Sequence, residues 1–169
     1  MMDGDVLDAT PLFEAERAQR RRARLLPYTM FDEIEPNPIK SWLVHGLFGK
    51  GELSAVYGAP GSGKSVLCGD LAFHVAAGLP WFGRRVLQSP VLYVAAERPG
   101  LVKRRFAALR GEHGLTAVPL ALVPATIDLR HREAKDSLIA TAEDVQMAVG
   151  APLGLIIIDT LNQAMMGGD

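Results

Sequence analysis

The segment Gly-Ala-Pro-Gly-Ser-Gly-Lys-Ser at residues 58–65 constrains the fold more than any other feature of the chain. It fits the pattern G-x-x-x-x-G-K-[ST] at every required position. The apolar run at residues 53–57 predicts a strand before it, and residues 65–77 predict a helix after it, with leucines at a helical spacing. A glycine-rich turn between a strand and a helix is typical of a loop that binds phosphate groups.

Each residue type in this loop has a chemical reason. Glycines allow successive backbone N–H groups to turn inward around phosphates, and the helix N-terminus adds unpaired donors and a positive dipole end. We expect Lys64 to reach the β- and γ-phosphates of a bound nucleotide and Ser65 to coordinate Mg²⁺. The competing interpretation, a glycine-rich turn with a chance lysine, leaves the flanking strand and helix unexplained. The predicted nucleotide-binding residues are Gly58, Ala59, Pro60, Gly61, Ser62, Gly63, Lys64, Ser65 and Val66.

From residue 39 onward, short apolar runs alternate with helical patterns. This alternation predicts a mostly parallel α/β sheet flanked by helices. The run at residues 155–158 is continuously aliphatic, so we expect that strand to be buried on both faces. The predicted strands are residues 53–57, 91–95, 120–123 and 155–158, and the predicted helices are residues 65–77, 101–109 and 133–149.

Composition excludes several classes of protein. Of the 169 residues, 49% are hydrophobic, which excludes a wholly disordered chain, and the net charge of −1 gives no overall preference for polyanions. A single cysteine, Cys68, excludes an intramolecular disulfide and favours a reducing compartment. No apolar run is long enough to span a bilayer and no secretory signal is present, so we expect a cytoplasmic protein without a membrane partner.

The first 38 residues differ from the rest, and we expect two parts, residues 1–38 and residues 39–169. Thr10 and Pro11 predict a helix start, Pro27 ends that stretch, and later prolines predict a linker. The default expectation is a solvated helix or tail, and the alternative is contact with nucleic acid or a neighbouring subunit. The arginines of this segment are Arg17, Arg20, Arg21, Arg22 and Arg24.

Asp159 follows directly on the aliphatic run 155–158. A buried strand fixes the position of the residue at its end, and a carboxylate placed beside a phosphate loop can hold Mg²⁺ or its water. An aliphatic run that ends in aspartate indicates a metal ligand here because a phosphate loop precedes it in the same chain. The competing interpretation is an aspartate that caps the next turn. We predict that Ser65 and Asp159 form the metal site.

Glu97 is the candidate for the group that orients an attacking water. Thr160 follows Asp159, so no second carboxylate stands beside that aspartate. Glu97 comes at the end of the apolar run 91–96, and strand ends in open α/β sheets face the ligand crevice. The predicted catalytic residues are therefore Glu97 and Lys64. The competing interpretation is a surface carboxylate that pairs with Arg98 or Lys103.

The motif order resembles that of a known family. Residues 46–57, the loop 58–65, residues 71–81 and Val-Leu-Tyr-Val-Ala-Ala-Glu at 91–97 are similar to RecA-like AAA-family P-loop ATPases of plasmids and phages, which include RepA-type hexameric helicases. The resemblance covers residues 39–169. It implies a RecA-like core, ATP with Mg²⁺, assembly into a hexameric ring and coupling to single-stranded DNA. It assigns the family's functional roles to Lys64, Ser65, Glu97 and Asp159.

The same resemblance implies that a RecA-like core continues beyond Asp169 with a sensor strand, DNA-facing loops and an arginine finger. We therefore expect this chain to be the N-terminal portion of an ATPase and to be inactive alone. The leading functional hypothesis is a motor ATPase of DNA replication or recombination, such as a helicase. The alternatives are a regulatory ATPase of the circadian-clock type acting on proteins, a P-loop kinase, and a nucleotide-binding module without turnover.

The remaining features have ordinary interpretations. The four histidines share no metal-ligand spacing, so we assign no zinc site. Trp42 and Trp81 are expected to be packing residues, with stacking on adenine as the alternative. We expect a solvated helix face after Glu97, with nucleotide or subunit contact as the alternative, and its basic residues are Lys103, Arg104, Arg105 and Arg110.

Overall fold

The structure is a computed structural model that describes residues 28–36 and 39–160. The chain divides into two units, residues 1–39 and residues 40–169. In the first unit, Phe31–Glu33 form a single 3₁₀ turn, and the backbone N–H of Met30 donates to Oε2 of Glu33 at 3.2 Å. The predicted arginine-rich helix lies outside the described residues.

A three-stranded parallel sheet forms the centre of the second unit. Its strands are β3 (Val91–Ala95), β4 (Leu120–Val123) and β5 (Leu155–Asp159), in the order β4-β3-β5. Val91 is in register with the first residue of each neighbouring strand. Because all three strands point the same way, their carboxyl ends meet at one edge of the sheet. The predicted parallel α/β sheet of a P-loop NTPase is confirmed.

Three helices flank this sheet: α1 (Lys64–Ala77), α2 (Pro99–His113) and α3 (Arg132–Val149). Each ends at a glycine in the left-handed conformation, where residues with a Cβ are disfavoured. Helix α2 begins earlier than the predicted residue 101, because Pro99 lacks an N–H and so suits the first turn. None of the helices described here has the length and apolarity needed to cross a membrane.

The core lies between α1 and the sheet. All five residues of β3 are buried, because this strand has a neighbour on each side and α1 packs against it. A short antiparallel pair, β1 (Trp42–Val44) and β2 (Phe48–Gly49), adds Val44 to the same cluster. The buried cluster includes Leu71, Val75, Val91, Tyr93 and Ile157. The middle and end of α1 are thus packed against the sheet.

Two predictions about strands were wrong. Residues 53–57 are not a strand, and Leu53 and Tyr57 are 100% and 94% exposed. A strand needs a partner for its N–H and C=O groups, and no strand in the described part of the chain pairs with this segment. β5 is not buried on both faces either. Ile157 faces the core, but Ile156 on the opposite face is 45% exposed.

Candidate functional site

The loop at residues 58–63 connects directly to the N-terminus of α1. Gly63 immediately precedes the helix with φ 85°, a conformation that residues with a Cβ rarely adopt. A Cβ at Gly58 would lie 3.1 Å from Oγ of Ser62, closer than ordinary van der Waals contact. These two glycines therefore allow a tightly curved loop, and the whole loop is exposed to solvent.

The start of α1 offers hydrogen-bond donors to an anion. Gly63 has no side chain that could cap the helix, and its carbonyl oxygen accepts from the N–H groups of Val66 and Leu67 at 2.9 Å each. The first N–H groups of a helix have no partner within the helix, and the positive end of the helix dipole lies there. An exposed, uncapped helix start after a curved loop is suited to bind phosphate.

The Lys64 side chain folds back across this loop. Its ammonium donates to the carbonyl oxygens of Gly58 and Ala59, at 2.9 Å in both cases. An ammonium has three donors and no acceptor, so these two bonds leave one donor for another group. The positive charge is thereby placed at the loop that was predicted to hold the phosphates.

Ser65 and Asp159 are brought into direct contact. The hydroxyl of Ser65 donates to Oδ1 of Asp159 at 2.8 Å, although 94 positions separate them in the sequence. Asp159 ends β5 and is only 5% exposed. The two residues predicted as metal ligands from separate motifs therefore lie together, beside the phosphate loop.

Glu97 lies next to Asp159 through the backbone. The N–H groups of Ala96 and Glu97 both donate to the carbonyl oxygen of Asp159, at 2.8 and 3.2 Å. The Glu97 side chain is 45% exposed, and its Oε1 lies 3.5 Å from Nε of Arg98. An exposed ion pair at that separation contributes little, so the carboxylate is free to take another partner. The site thus contains a second carboxylate at the same sheet edge.

Comparison with known proteins identifies the family. A family model described as an AAA domain matches residues 19–169. The chain belongs to the AAA domain family. Membership makes it a nucleotide-binding ATPase by family, in agreement with the parallel sheet and the loop geometry. Neither the curated proteins nor the solved structures contained a match to this AAA chain.

The donor atoms of this AAA domain fit Mg²⁺. Ser65 and Asp159 provide a hydroxyl and a carboxylate oxygen 2.8 Å apart, and hard cations prefer oxygen ligands. Among the residues that the structure describes, no three His, Cys, Asp or Glu side chains are grouped as metal ligands. Mg²⁺ is commonly bound by one or two protein oxygens together with nucleotide phosphates and water. The described site matches that pattern and does not match a structural zinc site.

Tyr93 is the residue at this site that the sequence interpretation missed. It lies in the middle of β3, and its hydroxyl donates to Oδ2 of Asp159 at 2.7 Å. Burial, and secondarily this hydrogen bond, raises the pKa of Tyr93 well above its usual range. The sequence does contain a sign of this role, a single tyrosine within an otherwise apolar strand. When such a strand is buried, the tyrosine hydroxyl needs a hydrogen-bond partner.

Cys68 also lies near Asp159. It follows Ser65 by one helical turn on α1. Burial raises the pKa of the Cys68 thiol, and the negative charge of Asp159 raises it further. The thiol therefore stays protonated near neutral pH and is a poor nucleophile.

The other candidate side chains have structural roles. Trp81 is 5% exposed, its indole N–H donates to Oδ2 of Asp70 at 2.8 Å, and it lies against Phe48. Lys40 lies over the ring of Trp42, with Nζ 4.5 Å from the ring centre. Both tryptophan rings thus contact other residues of the protein, as expected of packing residues.

Proposed function

We propose that this AAA domain binds ATP with Mg²⁺ at residues 58–66 and hydrolyses it. The contact between Ser65 and Asp159 carries the proposal, because it brings a hydroxyl at the helix start and a carboxylate at a strand end together beside the phosphate loop, as a shared Mg²⁺ site requires. The exposed loop and the uncapped helix start provide the adjoining phosphate site. The family match independently supports nucleotide use.

Each side chain has a role in this proposal. Lys64 and the first N–H groups of α1 hold the phosphates, while Ser65 and Asp159 hold the metal. When bound, Mg²⁺ neutralises charge on the β- and γ-phosphates. Glu97 orients the water that attacks the γ-phosphate, for which its half-exposed carboxylate and its position beside Asp159 are suitable.

We further propose a RecA-like motor ATPase of DNA replication or recombination, of the helicase type. Support comes from the resemblance of the ordered motifs in residues 39–169 to the plasmid and phage ATPases. In this proposal the protein assembles as a homo-oligomeric ring of six subunits and binds single-stranded DNA. Phosphoryl transfer in such rings depends on charge supplied by a neighbouring subunit, so turnover is expected to require assembly.

The test has three measurements on the same preparation. A fluorescent ATP analogue is titrated with and without Mg²⁺, the ATPase rate is measured with and without single-stranded DNA, and the mass is measured by light scattering. Tight binding, DNA-stimulated turnover and a six-fold mass support the proposal. Turnover that DNA does not change would instead favour a regulatory ATPase acting on proteins. Binding without turnover in a preparation that has assembled into rings would favour a nucleotide-binding module, and phosphate transfer to a small acceptor would favour a kinase.

A further inference from the structure

The two carboxylate oxygens of Asp159 have different donors. Oδ1 accepts from Ser65 at 2.8 Å, and Oδ2 accepts from the hydroxyl of Tyr93 at 2.7 Å. Tyr93 is fully buried and Asp159 nearly so. A carboxylate held by one donor can rotate about its terminal bond, whereas one held at both oxygens is fixed in its plane.

We propose that Tyr93 is a positioning residue for the metal site. Its hydroxyl holds Oδ2 of Asp159, so that Oδ1 remains directed toward Ser65 and the metal. The inference rests on the proposed binding of ATP with Mg²⁺ and extends it to a residue outside the loop and outside the strand of Asp159. Outer partners of this kind orient metal ligands and tune their affinity.

Position in the fold favours this role. Tyr93 is the central residue of β3, which is paired on both sides and has all five residues buried. In the same sheet, Tyr93 is in register with Ile157, two residues before Asp159 on β5. The hydroxyl is therefore held by a strand that is buried along its length and paired on both sides. A rigid donor can fix a carboxylate more precisely than a surface side chain can.

Packing alone does not require the hydroxyl. The Tyr93 ring lies edge-on to Phe106 of α2, with ring centres 5.4 Å apart and planes at 88°. A phenylalanine at position 93 would keep this contact and would avoid burying a polar group. In the described residues, every buried side-chain N or O atom has a hydrogen-bond partner, and for Tyr93 that partner is Asp159. The hydroxyl is thus the part of the side chain whose role can be tested separately.

The experiment compares Tyr93→Phe with the wild type by titrating Mg²⁺ into each protein with a fluorescent ATP analogue present. We expect the Mg²⁺ concentration at half-saturation to rise about tenfold. In EDTA, the affinity for the nucleotide should stay within about twofold, because the loop and Lys64 are unchanged. An unchanged Mg²⁺ requirement would overturn the inference, and so would an equal loss of affinity in EDTA.

Phe106→Leu is the matched control. It alters the packing of the Tyr93 ring and leaves the hydroxyl in place, so its Mg²⁺ requirement should stay within about twofold of the wild type. A shift as large as that of Tyr93→Phe would assign the effect to packing and overturn the inference. The double variant Tyr93→Phe/Asp159→Asn should require no more Mg²⁺ than Asp159→Asn, because Tyr93 acts through that carboxylate. If the two substitutions instead gave additive losses of Mg²⁺ affinity, Tyr93 would not act through Asp159.

A measurement on the wild type keeps the inference testable if Tyr93→Phe does not fold. The chain has three tyrosines, so labelling with ¹³Cζ-tyrosine gives three resonances, assigned with Tyr28→Phe and Tyr57→Phe. Mg²⁺ added to the ATP complex should shift the Tyr93 resonance and leave that of the exposed Tyr28 unchanged. A Tyr93 resonance insensitive to Mg²⁺ would overturn the inference. Failure of the wild type to bind ATP would instead overturn the proposed function itself.

Discussion

The hydroxyl of Ser65 donates to Oδ1 of Asp159 at 2.8 Å and joins the first turn of α1 to the end of β5. The backbone N–H of Glu97, just beyond the end of β3, donates to the carbonyl oxygen of the same aspartate. Three segments that are distant in the sequence therefore converge at one edge of the sheet. Parallel strands make this possible, since their carboxyl ends lie on the same side.

Replacing Lys64 by alanine should severely weaken ATP binding. The ammonium lies at the loop, where it contacts the carbonyl oxygens of Gly58 and Ala59. Loss of a charge-assisted contact to phosphate should lower the affinity about 10- to 100-fold, with and without Mg²⁺. Titration of a fluorescent ATP analogue measures this. Lys50→Ala removes an exposed lysine outside the loop and serves as the control. An unchanged affinity in Lys64→Ala would refute the phosphate-loop assignment.

Ser65→Ala should affect the metal more than the nucleotide. The variant removes one oxygen ligand and leaves Oδ1 of Asp159 without its hydroxyl donor. We expect a higher Mg²⁺ requirement for ATP binding and an affinity in EDTA close to that of the wild type. Ser137→Ala is the control, because Ser137 is exposed on α3. If both variants gave the same Mg²⁺ titration, Ser65 would not be a metal ligand.

Glu97→Gln should bind ATP and Mg²⁺ normally but lose hydrolysis. The amide has nearly the same shape, so the backbone contacts of residue 97 with Asp159 are retained. A loss of about 10²–10⁴-fold in rate is expected when a general base is removed. The assay is ATP turnover under conditions where the wild type is active, with Glu112→Gln, an exposed position on α2, as the control. Turnover at the wild-type rate would place the water-orienting group elsewhere.

Local patterns predicted the presence and order of the three helices and of the three parallel strands. The bounds of β3 and β4 agree with prediction, because each is a short apolar run with turn residues nearby. The C-terminal ends of α1 at residue 77 and of α3 at residue 149 also agree with prediction. The bounds of these helices and strands depend on residues close together in the sequence, so local sequence patterns can predict them.

Pairing between distant segments was harder to predict. Residues 53–57 have the composition of a strand, but a strand forms only where another strand accepts its hydrogen bonds. The contact of Tyr93 with Asp159 depends on the register of β3 and β5, which no local pattern contains. Nucleotide binding could be assigned to the residues of the phosphate loop because they form a motif with fixed spacing. Tyr93 belongs to no such motif.

Stability at low pH should depend on Asp128. Hydrogen bonds from the Arg130 guanidinium lower the pKa of Asp128 to about 2. Because the folded-state pKa lies below the unfolded value of about 3.9, this pair stabilises the protein above that value, and the contribution is lost as the pH falls toward 2. In urea unfolding, the difference between the wild type and Asp128→Asn should be constant from about pH 5 to pH 7 and shrink below about pH 4. Asp136→Asn, from a longer and exposed ion pair, is the control, and a pH-independent difference for Asp128→Asn would contradict the expectation.

A comparison of Leu92 with Leu53 tests whether the segment 53–57 is packed. Leu92 is fully buried in β3, so Leu92→Ala should lower the free energy of unfolding by about 2–5 kcal/mol through lost burial and a residual cavity. Leu53 is fully exposed, so Leu53→Ala should change the free energy of unfolding by less than about 0.5 kcal/mol. Chemical denaturation of both variants measures the contrast. A loss in Leu53→Ala as large as that in Leu92→Ala would mean that residues 53–57 are packed and paired after all, as their composition predicts, because only a buried leucine has that much free energy to lose.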